Sequence, residues 1–108
     1  MIVELAILSV KPGLGAAFER AMAEAVPLIA ATPGFLGMEV RRCLEADGRY
    51  LLLVRWRTVE DHEVGFRGSD RYDRWKALLH HFYDPVPAVE HYGAPVVETD
   101  AATPPAAS

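Results

Sequence analysis

The sequence predicts an α+β fold: one antiparallel sheet with helices packed on a single face. Three observations carry this. Four short runs are rich in apolar and β-branched residues, two stretches between them space their apolar residues by three and four, and Gly or Pro stands at the junctions. Ile2 to Val10 is the first strand, stopped by Pro12-Gly13 and Gly15. Ala16 to Ala31 reads as a helix with an apolar stripe of Phe18, Ala21, Met22, Ala25 and Ile29. Pro27 removes one backbone donor and crowds the preceding turn, so a kink or break is expected there.

Thr32-Pro33-Gly34 ends that helix, and Phe35 to Leu44 forms a second strand. Asp47-Gly48 supplies a turn into a third strand, Tyr50 to Arg57, which completes a hairpin. Thr58 is placed to cap a short helix from Val59 to about Arg67. Ser69-Asp70 can cap the next, from Arg71 to about Tyr83, with Tyr72, Trp75, Leu78, Leu79 and Phe82 on its apolar face. Asp84-Pro85 and Pro87 end it, and Ala88 to Tyr92 is a short last strand. Residues 1–93 make one domain. The Pro- and Ala-rich residues 94–108 are expected to be disordered, although Val96-Val97 has the character to dock.

The resulting order is the ferredoxin-like βαββαβ pattern, in which a right-handed crossover puts the third strand between the first and second. The first and third strands are apolar on both faces. In the third, Tyr50, Leu52, Val54 and Trp56 oppose Leu51 and Leu53, with Arg55 following. Helices cover one face only, so the other needs a cover, and the same face of a second copy is the economical one. A homodimer through the sheet face is therefore expected.

Composition narrows the partners. Across 108 residues the net charge is −4 with no basic cluster, which argues against nucleic acid or an anionic membrane as main partner. A single cysteine, Cys43, excludes an internal disulfide. No basic leader with a cleavage site precedes the first strand, and no run is long enough to cross a bilayer, so a cytoplasmic location is expected.

Four segments resemble the antibiotic biosynthesis monooxygenase family, the dimeric α+β barrel proteins. They are the first strand ending in Lys11-Pro12-Gly13, TPGFLGMEV, LLLVRWRTVEDHEVGF, and the short helix followed by Gly68-Ser69-Asp70; the likeness spans about residues 1–93. WKALLHHFYDPVPAVEHY is similar to one uncharacterised bacterial subgroup. The resemblance implies a dimeric barrel and several candidate activities. One is a cofactor-independent monooxygenase acting on a small phenolic, quinol or polyketide-type aromatic, which needs no metal or flavin. A second is a non-catalytic or regulatory small-ligand binder, and a third a non-redox enzyme such as an isomerase or cyclase. Haem binding or degradation fits least. That branch relies on a first-strand Asn, and this chain has no Asn; Phe66 and Lys76 or Trp75 stand where a Trp and a ligating His are needed.

His62 is the leading catalytic candidate. With Val59 and Phe66 it falls on the inward side of the short helix, where an imidazole can act as base or orient a phenol; the alternative is a core histidine satisfied by backbone. Trp56 matches the family tryptophan at the end of the third strand. Phe66, Tyr72, Trp75 and Phe82 are inward aromatics, either plain core or walls for a flat ligand. Arg55 can meet an anionic substrate or pair across the sheet, and Glu4, Glu39, Arg41 and Glu90 are expected to pair across the sheet or dimer seam. His80 and His81 diverge on the helix and, even with Asp84 and His91, match no metal-ligand spacing, so no metal is expected.

Overall fold

The computed structural model describes residues 1–102. Its elements are β1 (Ile2–Ser9), α1 (Gly15–Ala30), β2 (Phe35–Arg42), β3 (Arg49–Trp56), a π-helical turn (Asp61–Phe66), α2 (Asp70–Leu79), a 3₁₀ turn (His80–Phe82) and β4 (Val89–Tyr92). The sheet order is β2-β3-β1-β4, antiparallel throughout, so β3 lies between β1 and β2 as expected. This is the ferredoxin-like α+β arrangement.

Period-two alternation sorts each strand into an inward and an outward set. Ala6, Leu8 and Val10 point inward with Leu52, Val54 and Trp56, and all are buried. Over them α1 lays Phe18, Met22, Ala25 and Ile29, and α2 lays Trp75 and Leu79. Phe18 and Ile29 are essentially fully buried, each worth ~2–3 kcal/mol by transfer. The outward set includes Val3, Leu5, Leu51 and Leu53, all half-buried, together with Ile7 at 47% exposure and Tyr92 at 49%. That apolar face carries no helix.

Three details differ from expectation. First, α1 does not break at Pro27; it runs on to Ala30, and the Pro27 carbonyl still accepts from Ala31 N–H at 3.2 Å. Pro27 and Ala23 both lie on the exposed side, so the carbonyl that lost its donor can turn to water. Second, the segment after Thr58 widens into a π turn. Thr58 Oγ1 caps it by accepting from Asp61 N–H at 3.1 Å, while Arg67 N–H reaches back five residues to the His62 carbonyl at 3.0 Å. Third, α2 stops at Leu79 and tightens to 3₁₀. Ser69 occupies its N-cap position, but its hydroxyl donates to the Phe66 carbonyl instead of capping.

Residues 94–102 form neither helix nor strand. Val96 and Val97 are 99% and 85% exposed, so they do not dock. The rest of the expected disordered tail, 103–108, lies outside the described residues. Among the described residues no helix is long and apolar enough to cross a membrane.

Candidate functional site

Glu4 breaks an otherwise apolar inward row. It shares the period-two row of Ile2, Ala6 and Leu8, so β1 geometry drives its carboxyl under the helices, where it is 5% exposed. A buried carboxylate must be hydrogen-bonded or it is costly. Oε1 accepts a hydrogen bond from Trp56 Nε1–H at 2.8 Å, and His62 Nε2 lies 3.3 Å from the same oxygen. The His62 and Trp56 rings stack, with centroids 5.3 Å apart and planes at 22°. On the far side, His62 Nδ1 lies 2.8 Å from His91 Nε2. The register puts His91 directly opposite Glu4 on β4, which is how the last strand reaches the site.

Oε2 of Glu4 has no hydrogen-bond partner among the described residues, yet no fully buried polar side-chain atom is left unpaired. That oxygen therefore keeps access to open space. The space is a cavity of about 190 Å³ between sheet and helices, walled by Phe66, Tyr72 and Trp75, with Arg67, His80 and Tyr83 adding polar groups. Burial raises the pKa of Glu4 above the ordinary carboxylate value, partly opposed by the Trp56 hydrogen bond and the charge of Arg67. Burial, with Arg67 and His91, lowers His62 to about 3, so its imidazole is neutral at physiological pH. Burial also lowers His80. The arrangement offers a basic carboxylate aimed at an aromatic-walled cavity, backed by a neutral imidazole and an indole N–H.

A larger hollow of about 590 Å³ opens between the hairpin and the start of α1. On its wall Arg42 makes a two-pronged contact to Glu19, and Tyr50 donates to Glu19 at 2.7 Å. The side chains of Lys11, Asp47 and Arg49 also border it, and all three are exposed to solvent.

Of the residues singled out from sequence, His62, Trp56, Phe66, Tyr72 and Trp75 come together around Glu4 and its cavity. Two do not. Phe82 packs behind the cavity against Phe18, with centroids 5.9 Å apart. Arg55 lies on the helix-free face, its guanidinium over the Cα of Gly37. Glu4 was expected to pair across the sheet or seam; it points inward instead, to Trp56 and His62. Glu39 and Arg41 pair within one strand at 2.7 Å. His80 lines the cavity, whereas His81 is exposed beside Phe82. Among the described residues no three His, Cys, Asp or Glu side chains are grouped to hold a metal ion. Sequence reasoning passed over Glu4 and His91 as site residues. Their signal was period two: a carboxylate in a buried strand row, and a histidine on the same side of β4 as Val89.

The antibiotic biosynthesis monooxygenase family model matches residues 1–78. The chain belongs to that family. It is also 49% identical over 92 residues to the uncharacterized protein YczJ of Bacillus subtilis (strain 168), covering 85% of this chain and 97% of the relative. Among solved structures, an antibiotic biosynthesis monooxygenase-family protein from Bordetella bronchiseptica shares 37% identity with a TM-score of 0.83, covering 88% of this chain and 97% of that one. SnoaB, a cofactor-independent oxygenase from Streptomyces nogalater, shares the fold at a TM-score of 0.79 and 16% identity, covering 92% of this chain and 97% of that one.

Proposed function

We propose that this family member is a cofactor-independent monooxygenase of small, single-ring phenols or quinols, with Glu4 as its base and a homodimer formed through the helix-free sheet face. The observation that carries the reading is a buried, unusually basic carboxyl with one free oxygen on an aromatic-walled cavity. A volume of about 190 Å³ is below the usual range of drug-sized ligand sites and suits one ring. The same small volume disfavours haem, although His80 is in the wall.

In this reading Glu4 Oε2 accepts the phenol proton, and Phe66, Tyr72 and Trp75 hold the ring and keep water out. The electron-rich phenolate gives electrons to dioxygen. A ring C–H carbon becomes C–OOH, and loss of water leaves C=O, so one oxygen atom enters the ring and the other leaves as water. His80 and Arg67 stand where they can stabilise developing negative charge.

Oxygen uptake by metal-free protein across a panel of phenols and hydroquinones tests this. Uptake that falls by about 100-fold or more in Glu4→Gln supports it. No uptake across the panel, or a ligand that stabilises the protein and is recovered unchanged, overturns it in favour of a binding protein.

A further inference from the structure

The cavity accounts for one oxygen of Glu4; the other begins a chain of groups that leads out of the protein by a different way. Glu4 Oε1 lies 3.3 Å from His62 Nε2, and the His62 side chain is 3% exposed. His62 Nδ1 lies 2.8 Å from His91 Nε2. The His91 side chain is 19% exposed, and its Nδ1 lies 3.9 Å from Oε1 of Glu63, which is 51% exposed. Glu4 and His62 are both buried, and exposure rises from His62 through His91 to Glu63 at the surface. The last gap is one that a bridging water can span.

We infer that His62, which also borders the ligand cavity, and His91, which lies outside it, form a proton conduit between solvent and the inner oxygen of Glu4. Two neutral imidazoles joined nitrogen to nitrogen must share one hydrogen, so their tautomers are coupled. With Glu4 ionised, His62 carries its hydrogen on Nε2, the nitrogen 3.3 Å from the carboxylate. Its Nδ1 is then bare and accepts from His91 Nε2–H, which leaves His91 Nδ1 bare toward Glu63 and water. A proton taken up at His91 Nδ1 sends the Nε2 proton of His91 to His62 Nδ1. The Nε2 proton of His62 then passes to Glu4 Oε1. One proton has entered, Glu4 is neutral, and both imidazoles are again neutral with reversed tautomers. The reverse sequence releases one proton.

Neither end state holds an imidazolium. That suits a place where His62 resists protonation down to about pH 3. The groups facing the chain fit the same account. From the π turn, Arg67 bears on both Glu4 and His62 and favours the ionised carboxylate. From β3 comes only the Trp56 N–H. From the segment after α2, His80 and Tyr83 face Glu4 across the cavity, both held in their neutral forms by burial. On β4, Glu90 points to the other face of the sheet.

The conduit serves the base proposed above and rests on that reading for its purpose. Its test needs no substrate. Nitrogen-15 NMR of the imidazoles in the labelled full chain is followed through a pH titration, with infrared detection of the Glu4 carboxyl. As Glu4 titrates, His62 is expected to exchange its Nε2–H form for its Nδ1–H form while staying neutral, and the His91 tautomer to switch with it. In Glu4→Gln the switch should vanish, and in His91→Phe the His62 tautomer should no longer follow Glu4. A His62 that keeps one tautomer while Glu4 titrates, or that becomes imidazolium between about pH 5 and 8, overturns the conduit. Failure of the oxygen-uptake panel leaves this measurement untouched, and a missing switch leaves the proposed oxidation standing.

Discussion

Acid should weaken this protein through His62, and the size of the effect follows from its surroundings. The imidazole titrates near 6.5 when the chain is unfolded and near 3 when folded. A base whose folded pKa is depressed contributes stability that is present above the unfolded value and lost as pH falls toward the folded one. The loss therefore starts near pH 6.5 and runs to about 3. Going from about pH 7 to about pH 4.5, linkage gives ~2.5 kcal/mol for this group alone. The Glu4 carboxyl 3.3 Å away would attract an imidazolium and recover part of that, leaving about 2 kcal/mol. Glu4 works in the opposite sense: its raised pKa adds stability as pH falls through its folded value. The measurement is accordingly a difference between proteins. Urea unfolding of wild type and His62→Gln is followed by circular dichroism at both pH values. Wild type should lose about 2 kcal/mol more than the variant on acidification. Equal losses would refute the claim that a buried neutral imidazole is held here.

Trp56→Phe removes the indole N–H from Glu4 and should cost about 1–3 kcal/mol; because the ionised carboxyl loses its donor, chemical denaturation should find the penalty larger above the Glu4 pKa than below it. Gly34 has φ +90°, and an added Cβ would run into the Asp61 carboxylate that pairs with Arg57 at 3.1 Å; Gly34→Ala should lower stability by about 2 kcal/mol, read as a fall in Tm. Leu53→Asp places a charge in the middle of the helix-free face, so light scattering after size exclusion should show the mass of one chain where wild type shows two. A dimer that survives this change would remove the sheet face as the interface.

Strand order was legible because β-branched runs, turn residues and the three-four stripe of Phe18, Met22, Ala25 and Ile29 all agreed. Helix ends were less so. Pro27 is disruptive by local rule, but its orientation toward solvent, which only the packed helix defines, removes the conflict. The site was half legible. His62 and Phe66 could be placed by spacing on one short segment, whereas Glu4 and His91 meet only through pairing of the first and last strands. Glu4 looked like a seam charge because both faces of β1 are apolar, and alternation alone cannot say which face is inside. Arg55 and Phe82 fell away from the cavity for related reasons. One sits on the outward row of β3, and the other lies past Leu79, where α2 gives way to a 3₁₀ turn that directs it toward α1.

The adjacency of Glu4 and His91 has a consequence for assembly. Residue 91 is supplied by a four-residue strand that, among the described residues, pairs only with β1. Short terminal strands are the first to fray, so warming or mild denaturant should dismantle the Glu4–His62–His91 array while most of the sheet persists. The stretch matched by the family model ends at residue 78, before this strand begins. A handful of late substitutions can thus retune the surroundings of a buried carboxyl without altering the stretch that the family model matches.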